Sequence, residues 1–184
     1  ANCYTGAQGF QTTHATAEKV AELLQISAGD VLVCSTGLIG EQLDREAVLS
    51  GVQLAVDDLS NHAGPLAAEA IMTTDSVAKT AHRVSSEGWS IGGMAKGAGM
   101  LAPGLATMLV VITTDALLDS TQLDRALRSA TRVTFDRLDS DGCMSTNDQV
   151  TLMTSGASGI TPDEDLFTEL LTELCQDLAA QLLS

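Results

Sequence analysis

The pattern of apolar and polar residues predicts a set of short strands. Residues 77–84 alternate between apolar and polar, which is typical of a half-exposed strand. Residues 89–94 are predicted to form a second strand that pairs with the first. Continuous apolar runs predict buried strands at 31–34, 105–112 and 150–154. Together these segments predict a sheet.

Apolar residues at helical spacing predict the helices that cover this sheet. The helices are expected at 16–28, 44–59, 67–72, from 121 onwards and at 163–183. Asp44 is a suitable N-cap for the second helix, whereas residues 2–13 have the composition of a loop. The last helix carries a stripe of leucines at Leu166, Leu170, Leu174, Leu178 and Leu182. The chain is therefore predicted to be one α/β domain over residues 1–184, with helices layered on a sheet.

Length and composition agree with this class. The chain has 184 residues, the length of one ordinary domain, and can bury well over half of the surface that it exposes when unfolded. Hydrophobic residues make up 45% of the chain and aromatic residues only 3%, so the core is expected to consist of Leu, Val, Ile, Ala and Met. A domain of this size needs no disulfide or metal to hold it together.

The charge of the chain argues against two kinds of partner. Nine Lys and Arg residues against 24 Asp and Glu residues give a formal charge of -15. Such a surface repels the phosphates of nucleic acids and the anionic surface of membranes. No apolar run approaches the ~20 residues of a spanning helix. We therefore expect neither nucleic acid nor a membrane as a partner, and we ascribe the acidity to solubility.

The cysteines favour a reducing compartment. Cys3, Cys34, Cys143 and Cys175 are far apart and form no C-x-x-C motif. Cys34 and Cys175 lie in apolar runs, where a free thiol behaves as a small hydrophobic group. We expect free thiols and a cytoplasmic location.

The histidines do not indicate a metal site or a hydrolase. His14, His62 and His82 each lack a second ligand at the i, i+4 spacing of a helical metal site. The G-x-S-x-G turn that carries the nucleophile of many serine hydrolases is absent from the sequence. We therefore expect no bound metal and no Ser-His-Asp triad.

Two loops resemble ligand-binding motifs only in part. The acidic segment 139–148 is similar to a calcium loop, but aligning its glycine places Arg137 where the first carboxylate belongs. The glycines of 92–99 suggest a phosphate-binding loop, but Lys96 precedes the glycine that it follows in a P-loop. The G-x-G-x-x-G dinucleotide motif is also missing. Calcium, nucleotide and dinucleotide binding are not predicted.

A glycine-rich loop followed by Thr107 offers a different chemistry. A threonine hydroxyl is a weak nucleophile unless a base lies beside it, and the α-amine of an N-terminal threonine is such a base. Cleavage between Ala106 and Thr107 would create that terminus, and a small residue before the threonine leaves room for the attack. Threonine is also common in strands, so an ordinary strand residue remains an alternative on these grounds.

The segment 96–109 resembles the self-cleavage and nucleophile motif of a known enzyme family. It reads Lys-Gly-Ala-Gly-Met-Leu-Ala-Pro-Gly-Leu-Ala-Thr-Met-Leu, and Thr-Thr-Asp-Ala116 follows. Further similar segments, in the family's order, are Cys-Ser-Thr-Gly-Leu-Ile-Gly40, Ala-Ile-Met-Thr-Thr-Asp75, Thr-Phe-Asp-Arg-Leu-Asp139 and Ser-Thr-Asn-Asp148. The family is that of ornithine acetyltransferase, also called glutamate N-acetyltransferase, of arginine biosynthesis. The resemblance extends over essentially the whole chain and implies the layered sandwich of that self-cleaving fold.

The resemblance implies an acetyl transfer by a ping-pong mechanism. The precursor would cleave itself between Ala106 and Thr107. The new N-terminal Thr107 would take an acetyl group from N-acetylornithine and pass it to glutamate.

Particular residues match the family's site positions. Thr36 and Gly37 match the pair that forms the family's oxyanion hole. Thr73 and Lys96 match positions that contact substrate, as does the nucleophile Thr107. An ammonium group such as that of Lys96 suits the carboxylate of an amino acid.

The resemblance also implies an assembly, and it does not cover the whole length of the family's enzymes. It implies no cofactor, with acetyl-CoA as an alternative acetyl donor, and an α2β2 heterotetramer of the two cleaved chains. The family's upstream portion and its C-terminal part, which holds further substrate contacts, have no match here. The chain resembles the middle of the enzyme, so we expect little or no transferase activity from these residues alone.

Two alternatives stay open at this point. Related N-terminal-nucleophile proteins hydrolyse amides, and the residues do not determine whether glutamate or water accepts the acyl group. The chain could instead keep the fold as an inactive fragment or a non-catalytic interaction module.

Overall fold

A four-stranded sheet is the centre of the structure, a computed structural model that describes residues 2–98, 108–138 and 147–183. In order across the sheet the strands are β1 (Lys79–Val84), β2 (Ser90–Lys96), β3 (Leu109–Thr114) and β4 (Gln149–Thr154). The first three are antiparallel neighbours, and β4 runs parallel to β3. The mixed α/β class predicted from the sequence is confirmed.

Most of the predicted strands are present. The alternation at 77–84 corresponds to β1, which pairs with β2 as expected, and 150–154 corresponds to β4. Strand β3 begins at Leu109, later than the predicted start at 105, and residues 105–107 lie outside the described part of the chain.

The strand predicted at 31–34 is absent. Residues 31–34 have no regular secondary structure, Leu32 is 68% exposed, and Cys34 is exposed rather than buried. An apolar run forms a strand only where a neighbouring strand can share its backbone hydrogen bonds, and no described strand pairs with this segment. The expectation of a buried strand at 31–34 was wrong.

Five α-helices are described: α1 (Gly6–Leu24), α2 (Arg45–Asp57), α3 (Gly64–Ala70), α4 (Ser120–Val133) and α5 (Glu164–Leu182). Asp44 caps α2 as predicted, because its carboxylate accepts hydrogen bonds from the first turn's N–H groups at 3.0 and 3.1 Å. Asp163 caps α5 in the same way. None of the helices in the described ranges is long and apolar enough to cross a bilayer.

Helix α1 begins about ten residues earlier than its apolar spacing predicts. The hydroxyls of Thr12 and Thr16 donate to helix carbonyls one turn back, at 3.1 and 2.8 Å. The side-chain amide of Asn2 donates to another carbonyl of the helix at 2.7 Å. Polar residues that usually favour turns are therefore accommodated within the helix. The expectation that residues 2–13 form a loop was wrong from Gly6 onwards.

The core lies between the sheet and helices α4 and α5. Leu174, Leu178 and Leu182 of the predicted leucine stripe are buried, whereas Leu166 and Leu170 are partly buried at its edge. The helix also buries Phe167, Leu171, Cys175 and Ala179. Burial raises the pKa of the Cys175 thiol to about 12, so this cysteine stays a neutral, hydrophobic group.

The opposite face of the sheet is more open. Val84 of β1 is 71% exposed and Met153 of β4 is 44% exposed. A shallow cavity of about 560 Å³ runs across this face and includes His82 and Thr113. Helix α2 likewise buries none of its residues, and its Leu54 is 66% exposed.

Candidate active site

The ammonium group of Lys96 lies between two threonine hydroxyls. Lys96 ends strand β2 and is only 2% exposed. Its Nζ donates hydrogen bonds to Oγ1 of Thr73 at 2.7 Å and to Oγ1 of Thr36 at 3.0 Å. The three residues come from separate parts of the chain, and the sequence assigned each of them to the site. The fold brings them together into one cluster.

The cluster keeps unused hydrogen-bond donors. An ammonium group only donates, so both threonine oxygens act as acceptors and each retains its own O–H. Within residues 2–98, 108–138 and 147–183 neither hydroxyl donates to another group, and the third N–H of Lys96 also lacks an acceptor. One cation with two adjacent hydroxyl donors suits a carboxylate or an oxyanion.

The environment of Lys96 makes its charge easier to lose. Burial lowers the pKa of the Lys96 amine below its ordinary value. The negative charge of Asp75 opposes this effect, and the positive charge of Lys79 adds to it. An anionic ligand at Nζ would stabilise the ammonium form.

Gly37 follows Thr36 in an irregular segment, not at the end of a buried strand as predicted. Its φ is 126°, a conformation that side-chain-bearing residues rarely adopt. Among the described residues its N–H has no hydrogen-bond acceptor. The backbone N–H of Gly37 and the hydroxyl of the preceding Thr36 are donors of the kinds that form oxyanion holes.

Two aspartates that were not predicted as site residues hold the backbone near this cluster. Asp75 accepts a hydrogen bond from the N–H of Gly97 at 2.7 Å. Asp148 accepts one from the N–H of Met108 at 3.0 Å. In the sequence both aspartates end segments that resemble the family, and Asp148 also ends the acidic segment 139–148, but neither signal assigned them to the site. Their contacts depend on tertiary structure.

Ala106 and the predicted nucleophile Thr107 lie outside the described residues. Their neighbour Met108 is described, and its carbonyl accepts a hydrogen bond from the N–H of Gln149 at 2.9 Å. In the antiparallel pairing of strands β2 and β3, Lys96 lies opposite Leu109. The described chain next to Thr107 is therefore fixed beside Lys96.

A second, smaller cavity lies close to this part of β3. Its volume is about 300 Å³, and Cys3, Ser35, Leu109 and Asp148 are among its lining residues. Ser35 precedes Thr36, and Leu109 pairs with Lys96, so the cavity borders the segments that carry the cluster.

The described part of the chain contains no group of three or more His, Cys, Asp and Glu side chains placed to hold a metal ion. His82 and His62 are exposed, and His14 packs against Phe10 with ring centroids 4.6 Å apart and ring planes tilted by 40°. None of the described hydrogen bonds links a histidine side chain to Thr36, Thr73 or Lys96.

The chain is similar to known proteins over its whole length. The model of the ArgJ family matches residues 1–184. The arginine biosynthesis bifunctional protein ArgJ of Streptomyces coelicolor is 63% identical over 183 residues, which cover 100% of this chain and 48% of that protein. The protein of the same name from Thermobifida fusca is 60% identical over 184 residues, with 100% and 48% covered.

The chain thus spans about half the length of the curated relatives that it matches. The similarity agrees with the motifs found in the sequence, and the cluster around Lys96 is built from three of those motifs. The chain belongs to the ArgJ family.

Proposed function

We propose that this chain provides the acetyl-transfer site of a glutamate N-acetyltransferase in arginine biosynthesis. The observation that carries the proposal is the buried Lys96 ammonium, which contacts Thr73 and Thr36 at 2.7 and 3.0 Å. A buried cation without a carboxylate in direct contact is costly unless a ligand completes it. The α-carboxylate of an amino-acid substrate is such a ligand. Membership of the ArgJ family supports the same function.

The first half-reaction is an acyl transfer to Thr107. The hydroxyl oxygen of Thr107 attacks the acetyl carbonyl carbon of N-acetylornithine while its proton moves to the α-amine of the same residue. The Thr36 hydroxyl and the Gly37 N–H stabilise the oxyanion that forms. The C–N bond then breaks, and the departing ornithine amine takes the proton from the α-ammonium group. The product is an acetyl ester on Thr107.

In the second half-reaction the acetyl group moves from Thr107 to glutamate. The α-amine of glutamate attacks the ester carbonyl, and one of its protons moves to the α-amine of Thr107. A second oxyanion forms in the same place. The C–O bond to Thr107 breaks, the hydroxyl regains its proton, and N-acetylglutamate leaves. In both halves Lys96 binds the carboxylate of the amino acid.

The proposal extends to the assembly. Cleavage between Ala106 and Thr107 would yield two chains, which we propose associate as an α2β2 heterotetramer in the cytoplasm. No cofactor takes part in the steps above, and acetyl-CoA is the alternative acetyl donor.

Product analysis tests the proposed function. The chain, together with any sequence that adjoins it in its gene, is incubated with N-acetylornithine and glutamate, and both products are measured. We expect N-acetylglutamate and ornithine in equal amounts. Free acetate in place of N-acetylglutamate would identify an amidohydrolase, and the absence of both products would contradict an acyl-transfer function.

Replacing Thr36 with valine is expected to lower kcat by about 10²-fold, because the variant keeps the shape of the side chain but removes one oxyanion donor. KM should change less, since the hydroxyl acts mainly on the transition state. Steady-state kinetics measure both constants.

Two variants control this prediction. Thr36→Ser keeps the hydroxyl and should retain most activity. Thr80→Val makes the same exchange at an exposed position of β1 and should leave kcat unchanged. A Thr36→Val enzyme with the kcat of Thr80→Val would exclude Thr36 from the oxyanion hole.

Replacing Asp148 with alanine is expected to slow cleavage between Ala106 and Thr107 about tenfold. The loss follows from the missing hydrogen bond to the Met108 N–H, which fixes the backbone next to the nucleophile. The fraction of cut chain is followed by mass spectrometry over time after synthesis.

Asp136→Ala serves as the matched control, because Asp136 is exposed and remote in sequence from this contact. Asp148→Asn keeps an acceptor oxygen and should slow cleavage less than Asp148→Ala. Equal rates for Asp148→Ala and Asp136→Ala would show that the contact with Met108 has no part in cleavage.

A further inference from the structure

Asp75 is a buried carboxylate that the proposed reaction does not use. Its side chain is 0% exposed, and it lies between helix α3 and strand β1. Oδ1 accepts hydrogen bonds from Nζ of Lys79 and from the Gly97 N–H, both at 2.7 Å, and Oδ2 accepts one from the Thr73 N–H at 3.2 Å. The three hydrogen bonds satisfy the buried carboxylate, as buried polar groups in proteins usually are.

We propose that Asp75 is a positioning residue for the substrate-binding pair Thr73 and Lys96, holding together the two segments that carry them. This inference rests on the proposed function of that pair. It adds a residue whose role is to set the distance and orientation between the two groups that receive the substrate.

The contacts of Asp75 explain how it would do so. Its two oxygens bind the backbone of Thr73 itself and of Gly97, the residue that follows Lys96. The two segments are far apart in the sequence, and they meet where Nζ of Lys96 donates a hydrogen bond to Oγ1 of Thr73 at 2.7 Å. Hydrogen bonds to a charged acceptor are stronger than neutral ones, so the carboxylate fixes both backbones firmly.

The hydrogen bond from Gly97 to Asp75 is made by a backbone in an unusual conformation. The φ of Gly97 is 152°, in the region that residues with a side chain rarely adopt. A Cβ atom at this position would lie 3.2 Å from Cδ2 of Leu182, a tight contact that the leucine side chain of helix α5 would have to shift to relieve. The unusual conformation turns the N–H of Gly97 towards Asp75.

Asp75 also supplies charge to the cluster. Burial alone would raise its pKa, but hydrogen bonds from Lys79, Gly97 and Thr73 outweigh burial and lower it, so Asp75 is a carboxylate at neutral pH. Among the described residues the charged groups that act on Lys96 are Asp75, which raises the pKa of its amine, and Lys79, which lowers it. Loss of the two charges should therefore move the Lys96 titration in opposite directions.

The test compares Asp75→Asn with Lys79→Met in the chain together with any sequence that adjoins it in its gene. Asp75→Asn should raise KM for N-acetylornithine about tenfold, with a smaller change in kcat. The titration of Lys96, followed by NMR of ¹³C-labelled lysine, should move to lower pH in Asp75→Asn and to higher pH in Lys79→Met.

Folding and function are controlled separately. Asp75→Asn leaves Lys79 buried without its partner, so the double variant Asp75→Asn/Lys79→Met, with no buried charge at either position, provides a folded form for the KM measurement. Unchanged KM in a folded, active double variant, or Lys96 titrations that do not separate in opposite directions, would overturn the positioning role. Failure of the unmodified protein to make N-acetylglutamate would instead contradict the proposed function, and the NMR titration would still decide whether Asp75 controls Lys96.

Discussion

Replacement of Thr107 with alanine is expected to leave the chain uncut between residues 106 and 107 and to abolish acetyl transfer. The hydroxyl is the nucleophile of both events in the proposed mechanism, so one substitution removes both. Loss of a catalytic nucleophile typically lowers kcat by at least about 10⁴-fold. Intact mass reports the cleavage, and radiolabelled acetyl from N-acetylornithine reports the acyl-enzyme.

Two variants make this result specific. Thr107→Ser keeps a hydroxyl and an α-amine after cleavage and should retain part of both activities. Thr113→Ala removes an exposed threonine from the open face of β3 and should cut and acetylate normally. Acetyl labelling of Thr107→Ala at the level of Thr113→Ala would refute the role of Thr107.

Replacement of Lys96 with methionine is expected to lower kcat/KM for N-acetylornithine on the order of 10³-fold. Methionine fills a similar space but removes the ammonium group that donates to Thr73 and Thr36. The substrate carboxylate then enters a site without its counter-charge. The loss should appear for both substrates, since Lys96 binds a carboxylate in each half-reaction.

The pH dependence gives an independent check on Lys96. Burial lowers the pKa of its amine below the ordinary value of 10.5. Activity needs the protonated form, so it should be present below the lowered pKa and lost as the pH rises through it. This alkaline limb should be missing from the residual activity of Lys96→Met, whereas Lys19→Met, at a partly exposed lysine of α1, should retain it. An alkaline limb at the same pH in Lys96→Met would assign it to another group.

The sequence predicted those elements whose signals are local. Alternation identified β1, and Asp44 identified the start of α2 because its cap bonds reach only residues 46 and 47. The leucine stripe of α5 also follows from helix geometry alone, and its last three leucines, Leu174, Leu178 and Leu182, are buried as expected.

Predictions that depend on distant partners were less successful. The apolar run 31–34 has the composition of a strand, but none of the strands in the described ranges pairs with it. Helix α1 extends back to Gly6, where Asn2 and two threonines donate hydrogen bonds to its carbonyls. No local pattern indicates either outcome.

The candidate site shows the same limit. Motifs identified Thr36, Thr73 and Lys96 one by one, but only the fold reveals that Lys96 Nζ contacts both hydroxyls. Asp75 looks like any other acidic residue in a chain with 24 of them, and its burial beside Lys79 follows only from tertiary packing.

The most direct test of the proposed function is the mass of the peptide that begins at Thr107, measured after incubation with N-acetylornithine alone. The chain is used with any sequence that adjoins it in its gene. The mechanism predicts a new terminus at Thr107 that carries one acetyl group and loses it when glutamate is added. An uncut chain, or an acetyl group on a different residue that glutamate removes, would contradict it.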